Sequence, residues 1–293
     1  MRVTFLGTGC PVPSPHRFGP SQVVRHGDTA ILIDCGSGVT QRLAAAGLSG
    51  ADLDAVLLTH LHSDHVMDVF QLILSSWHQG RQRPQKIFGP PGTKVYVDGL
   101  MALWRAEMDQ RIAHERRPST SALETEVTEF GPGWVGRFGE MEVSAVQVDH
   151  RPVVHAYGFA LTACGRRLVV SGDTRPCEGL VEAARGADVL VHEVVARGGM
   201  PVVEGVRTAE TVANVESYHT RSDQVGAVAA EAGVGCLVLT HVTPPGTDRA
   251  ALLEEVGKHY GGPVVVAEDL ATIDVERMRV TFASGGVVAL GRH

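Results

Sequence analysis

Thr59-His60-Leu61-His62-Ser63-Asp64-His65 packs three imidazoles and a carboxylate into positions 60 to 65. It follows Ala55-Val56-Leu57-Leu58, an unbroken apolar run of the kind a strand covered on both faces carries. A strand that ends in imidazoles and a carboxylate ends in metal ligands. In extended chain, His60 and His62 point to one side because side chains alternate. Asp64 and His65 lie past the strand end, where the chain turns, and can face a second metal. Imidazole with carboxylate and no thiolate suits Zn2+, with Mn2+ or Fe as substitutes.

The same unit recurs along the chain. Leu168-Val169-Val170 runs into Ser171-Gly172-Asp173, Val189-Leu190-Val191 into His192-Glu193, and Leu237-Val238-Leu239 into Thr240-His241. In layered α/β folds, ligands gather at strand ends in this way. The intervening segments predict helices over 39–46 (closed by Gly47), 93–116 (stopped by Pro118), 178–184 and 222–232 (closed by Gly233). Met1 to Gly7 reads as a first strand. The pairing of Val-Leu-Leu-Thr-His near position 60 with Leu-Val-Leu-Thr-His near 241 suggests two related halves, about 1–145 and 146–293, within a single domain spanning 1–293. Each half supplies a sheet with helices on its outer face, which predicts an α/β fold of the four-layer αββα type.

Composition narrows the classes. No apolar run approaches the ~18 residues a membrane span needs, and the N-terminus is too short in apolar length for a signal peptide. The expectation is a cytoplasmic protein. Five scattered cysteines, Cys10, Cys35, Cys164, Cys177 and Cys236, form no CxxC pair and read as reduced thiols. A formal net charge of −7 argues against a general polyanion binder. The stretch from Gly80 to Pro118 departs from that balance, with eight basic residues against four acidic, Trp77 just before it and Trp104 within it. It reads either as a solvated helix face or dimer surface, or as a lid that binds an anionic aromatic substrate.

Together these segments resemble the metallo-β-lactamase superfamily. Its His-x-His-x-Asp-His signature stands as His60, His62, Asp64 and His65. Further matches are Leu32-Ile33-Asp34-Cys35-Gly36, Val148-Asp149-His150, Ser171-Gly172-Asp173-Thr174 and Leu239-Thr240-His241. The resemblance runs from Phe5-Leu6-Gly7-Thr8-Gly9 to Val266-Ala267-Glu268-Asp269. It implies two Zn2+ ions, one held by His60, His62 and His150, the other by Asp64, His65 and His241, with Asp173 bridging and Asp34 in support. His155, five positions after His150, is the rival third ligand. Val191-His192-Glu193-Val194 and Tyr218-His219-Thr220-Arg221-Ser222 resemble segments of the arylsulfatase-type enzymes and of the tRNA 3′-processing endonucleases. There a Glu–His pair sits beside the metals, so Glu193 would orient His219, and His219 would protonate the leaving group or hold a substrate oxygen. Asp64, Glu193 and His219 are the implied catalytic residues. Asp173 argues against antibiotic hydrolysis, because true metallo-β-lactamases lack a bridging aspartate there.

The expected activity is metal-dependent hydrolysis of a small anionic or aromatic ester, either an aryl sulfate, a phosphodiester or a related activated ester. The choice over RNA rests on spacing. The tRNA-processing enzymes with a clamping arm insert it between the third and fourth ligand segments, whereas residues 151 to 172 leave room only for a hairpin. Nucleic acid is therefore not the expected partner, nor is a membrane, and a homodimer is left open. The alternatives are an RNA endonuclease of the tRNA 3′-processing type, a lactone or ring-opening hydrolase of small aromatic metabolites, and a non-catalytic metal-binding scaffold.

Overall fold

The computed structural model describes residues 1–291. Its first sheet comprises β1 (Arg2–Gly7), β2 (Ser21–His26), β3 (Thr29–Ile33), β4 (Ala55–Leu57), β5 (Gln85–Gly89) and β6 (Thr125–Glu129). The second comprises β7 (Val135–Phe138), β8 (Met141–Gln147), β9 (Tyr157–Ala163), β10 (Arg166–Val170), β11 (Val189–Val195), β12 (Cys236–Thr243) and β13 (Val264–Val266). The chain then returns to the first sheet as β14 (Thr272–Asp274), β15 (Arg279–Thr281) and β16 (Val287–Ala289). Strand orders are β16-β15-β14-β1-β2-β3-β4-β5-β6 and β13-β12-β11-β10-β9-β8-β7.

Alternation along the strands builds the layers. Ile31, Ile33 and Leu57 of the first sheet meet Phe159, Leu168, Val170, Val189, Val191 and Val238 of the second in a core between the sheets. Their neighbours Leu32, Val56 and Leu58 face outward onto α1 (Val39–Ala45), α3 (Val69–His78) and α4 (Thr93–Leu103). A four-residue turn of helix, α2 (Ser63–Val66), precedes α3, and α5 (Arg105–Glu115) follows α4. On the other side Val169, Leu190, Leu237 and Leu239 face α6 (Glu178–Ala184), α8 (Ser222–Ala232) and α9 (Arg249–Gly257). α7 (Ala209–Ser217) buries none of its residues. The result is the αββα sandwich that the sequence predicts. Phe159 is completely buried in the inner core, so Phe159→Ala is expected to cost ~3–5 kcal/mol through lost transfer energy and the cavity left behind. A urea titration reads this directly, and a loss below 1 kcal/mol would contradict close packing there.

The single helix expected over 93–116 is two helices, which meet at Trp104 (φ −97°, ψ 7°). α4 buries Thr93, Val97 and Met101, whereas α5 buries only Met108, and the Trp104 ring stacks on Phe70 at 4.9 Å. The basic stretch is largely accounted for by internal partners. Arg81 is buried and donates to the carbonyls of Leu53 and Pro84 at 2.8 Å. Arg83, Lys94, Arg105, Arg111 and Arg117 lie against Asp54, Asp98, Asp109, Glu107 and Glu115. No helix among the described residues is long and apolar enough to cross a membrane.

β3, β4 and β5 run parallel in one sheet, and β10 to β13 in the other. Parallel strands send their carboxyl ends to one edge, which is where layered α/β folds place ligands. At that edge lie Asp34 after β3, His60 to His65 after β4 and Asp173 after β10. Glu193 and His241 lie within β11 and β12.

Candidate metal centre

Two groups of ligand atoms meet at this edge. One atom each from His60, His62, His150 and Asp173 lie within 4.8 Å of one another, as do atoms of Asp64, His65 and His241. Asp173 Oδ2 stands between the groups, 3.3 Å from His65 Nε2, 3.4 Å from His241 Nε2 and 3.9 Å from His60 Nε2. A carboxylate in that position can touch two cations roughly 3.5–4 Å apart. His150 is fully buried in the cluster, while its rival His155 is exposed outside it.

Local backbone explains how each side chain arrives. His62 caps α2 in an extended conformation (φ −64°, ψ 144°), and the helix turns Asp64 and His65 back toward the strand end. Gly172 allows Asp173 its place. It sits at φ 61°, and a Cβ there would come 2.5 Å from the Tyr157 carbonyl, so other residues are excluded on both conformational and steric grounds. In β12, Glu193 pairs with Thr240 and Val194 with Val242. His241 is the unpaired extra residue of a β-bulge and lies at φ 46°. Bulges beside active sites re-aim side chains in this way.

A second ring of contacts fixes the imidazoles. Asp34 Oδ2 lies 2.8 Å from His65 Nδ1, and Asp34 also accepts from the Thr59 amide at 2.9 Å. The Thr59 hydroxyl in turn sits 3.0 Å from His60 Nδ1. His150 Nδ1 is 2.9 Å from the Tyr218 carbonyl, the contact that leaves Nε2 as the free lone pair. Hydrogen bonds behind metal-binding histidines set tautomer and orientation in this manner. Asp34 is legible in the sequence as a supporting residue. Thr59 and the Tyr218 carbonyl are not, because hydroxyls and backbone oxygens carry no ligand signature.

The electrostatics fit divalent cations. Burial, with His65 beside it, holds the His60 imidazole well below its ordinary range, and burial also lowers His62 and His150. Neutral imidazole is the form that binds metal. Burial would lower His65 and His241 too, but Asp173, together with Asp34 or Asp64, outweighs it and pushes His241 up to about 10. Burial would raise Asp173, yet His241 and His65 keep its carboxyl well below the usual range. The concentrated negative potential that draws protons onto these histidines draws metal ions equally. His60 Nε2 and His65 Nε2, both aimed at Asp173, are buried with no hydrogen-bond partner among the described residues. Such orphaned atoms are costly unless something coordinates them.

Beside the cluster sits the Glu–His pair. Glu193 Oε1 lies 2.8 Å from His219 Nδ1 and accepts from the amides of Thr174 at 3.0 Å and Thr220 at 3.2 Å. His219 Nδ1 is 4.0 Å from Asp173 Oδ2. Burial works against the imidazolium of His219, but the Glu193 charge and hydrogen bond raise its pKa above the ordinary value.

This sandwich and its edge cluster define a metal-dependent hydrolase of the metallo-β-lactamase fold. Residues 1–202 match the family model described as anti-Pycsar protein Apyc1. Ribonuclease Z of Mycobacterium bovis (strain BCG / Pasteur 1173P2) is 39% identical over 290 residues, covering 95% of this chain and 100% of the relative. Ribonuclease Z of Mycobacterium tuberculosis (strain ATCC 25618 / H37Rv) is 38% identical over 290 residues with the same coverages. The chain belongs to the ribonuclease Z family and to the family the Apyc1 model describes. Among solved structures, YhfI from Bacillus subtilis superposes with TM-score 0.71 at 22% identity, covering 92% of this chain and 97% of that one. The short form of human tRNase Z superposes with TM-score 0.68 at 23% identity, covering 94% and 99%. The likeness to these two structures shows the fold.

The ribonuclease relatives overturn the expectation that nucleic acid is not a partner. That expectation rested on the acidic net charge and the short 151–172 connection, which does fold as the β9–β10 hairpin. The M. bovis ribonuclease Z is matched over its whole length in a 290-residue alignment, so it too is a compact chain. Compactness between the third and fourth ligand segments therefore does not separate an ester hydrolase from a nuclease. Net charge fails for a different reason, since it averages over a surface of which a substrate touches only part.

Proposed function

We propose that the protein is a metal-dependent endonuclease that cleaves a phosphodiester bond in RNA, of the tRNA 3′-processing kind. The observation that carries this reading is the match to relatives named ribonuclease Z over 95% of the chain, and the His219–Glu193 pair beside Asp173 offers the acid such a reaction needs. An aryl sulfate or nitrophenyl ester releases a stable anion and needs little protonation. A ribose oxygen is a poor leaving group and departs only with a proton. A buried imidazole whose hold on its proton is strengthened by a buried carboxylate is the group that such a bond requires. The names of the full-length relatives support the same substrate class.

His60, His62 and His150 would hold one metal ion, Asp64, His65 and His241 the other, and Asp173 both. Two bound divalent ions would lower the pKa of water toward ~7 and neutralise charge on the phosphoryl oxygens. The chain's own residues do the rest. Asp34 and Thr59 keep His65 and His60 from rotating, and Tyr218 does so for His150. Hydroxide, its proton already lost to solvent, adds to phosphorus, the bond from phosphorus to the ribose oxygen breaks, and His219 delivers its proton to that oxygen. Glu193 holds the imidazole at the required angle and stabilises its charge.

The test offers metal-loaded protein a precursor tRNA with a 3′ trailer, bis(p-nitrophenyl) phosphate and p-nitrophenyl sulfate. Cleavage of the precursor at one position, with kcat/KM above that for either chromogenic ester, is the expected result. Hydrolysis of the esters with the precursor left intact would overturn the RNA reading and return the choice to a small ester.

A further inference from the structure

At the opposite end of the strands, turns from both sheets bring a second set of ligand atoms together. β3 and β4 carry Asp34 and His60 at their carboxyl ends, so the turn between His26 and Thr29 lies at the other end. β10 leads to Asp173, so the Cys164-Gly165 turn at its start is also there. Gly139-Glu140 joins β7 to β8, and Glu276 follows β14. Strands of five residues separate the two ends by roughly 17 Å.

His26 Nε2 is 3.4 Å from Cys164 Sγ and 3.4 Å from Glu140 Oε2. One ligand atom from each of the three lies within 4.8 Å of the others. Tetrahedral zinc, with Zn–S near 2.3 Å and Zn–N and Zn–O near 2.0 Å, sets its N···S edge at about 3.5 Å and its N···O edge at about 3.3 Å. The two distances at His26 already have those lengths. The other face of the ring looks toward Glu276, whose Oε1 lies 3.6 Å from His26 Nδ1 and accepts from the Met1 ammonium. The His26 side chain is 13% exposed and that of Glu140 is 80% exposed, so the imidazole is fixed while one side remains open to solvent.

We propose that Cys164, His26 and Glu140 bind one Zn2+ ion, with water as the fourth ligand. The donors are a thiolate, an imidazole and a carboxylate, a set that selects zinc over the hard cations. The ion would tie the β2–β3 turn of the first sheet to the β7–β8 and β9–β10 turns of the second. Binding releases the Cys164 thiol proton and the Sγ–Zn bond takes its place. The proposal is independent of the hydrolytic reading, since it shares no residue with the histidine cluster.

The spectroscopic test exploits the lack of a thiolate in that cluster. Full-length protein loaded with Co2+ is expected to show a near-ultraviolet sulfur-to-cobalt charge-transfer band. Cys164→Ser, an exposed substitution, should abolish the band and lower bound Zn2+ by one ion per chain. His26→Ala should do the same, while Cys10→Ser, in the pocket that Asp64 also lines, should leave both unchanged. Absence of the band in the unaltered protein would overturn the site, leaving an ordinary contact between a thiol and an imidazole. So would a band and zinc content that survive Cys164→Ser.

Discussion

Asp173→Asn is expected to empty both halves of the histidine cluster together and to abolish hydrolysis. Asp173 Oδ2 is the atom within 4 Å of His60, His65 and His241 alike, so its charge serves both positions. Asparagine keeps the shape and removes the charge, leaving two divalent ions to repel across a neutral amide. Losing a partner behind a ligand costs about 10–100-fold in metal affinity, and losing the shared ligand itself should cost more. Metal content after dialysis, measured beside turnover, gives the answer. Retention of one metal at full occupancy with loss of the other would show that Asp173 belongs to a single site.

His219→Ala is expected to leave both metals bound and slow cleavage of the RNA phosphodiester ~10²–10⁴-fold, the usual contribution of a positioned general acid. The loss should shrink sharply for bis(p-nitrophenyl) phosphate, because nitrophenolate leaves without a proton. Glu193→Gln should follow the same leaving-group dependence with smaller effect, since Glu193 acts through His219 at 2.8 Å. Equal losses on both substrates would remove His219 from the acid role and restrict it to holding a substrate oxygen. Metal loss in Glu193→Gln would place the carboxylate with the metal ligands instead.

Much of this architecture is legible in the chain because it depends on two local signals. Apolar runs of three to five residues mark strands covered on both faces, and imidazoles or carboxylates directly after them mark one edge of the sandwich. His60, His62, Asp64, His65, Asp173 and His241 follow from those signals and His150 from the family resemblance, and all seven converge in space. The helix over 178–184 and that over 222–232 occupy the expected residues, because Gly233 supplies a left-handed stop for the second and Leu180, Val181 and Ala184 a packed face for the first. What stayed hidden is tertiary in origin. The break at Trp104 depends on Phe70, more than thirty positions earlier, and the role of Thr59 depends on Asp34 from another strand. The expectation against nucleic acid failed because loop length and net charge are properties of the chain, whereas recognition belongs to a patch of its surface. The His26, Glu140 and Cys164 trio is invisible in sequence for the same reason, since three separate turns supply it.

The extra residue in β12 has a consequence for how chemistry and architecture are divided in this protein. Leu239 and Val242 both pack on the outer helices, although three steps along an ordinary strand would put them on opposite faces. His241 absorbs the odd step, so the apolar phase of the strand resumes after it as though the residue had not been inserted. The strand therefore holds its place through Leu237, Leu239 and Val242, and carries its imidazole as a supernumerary. Change at position 241 can alter or silence the metal chemistry while the sheet keeps its count, which makes this ligand separable from the fold in a way that a ligand paired within the ladder would not be.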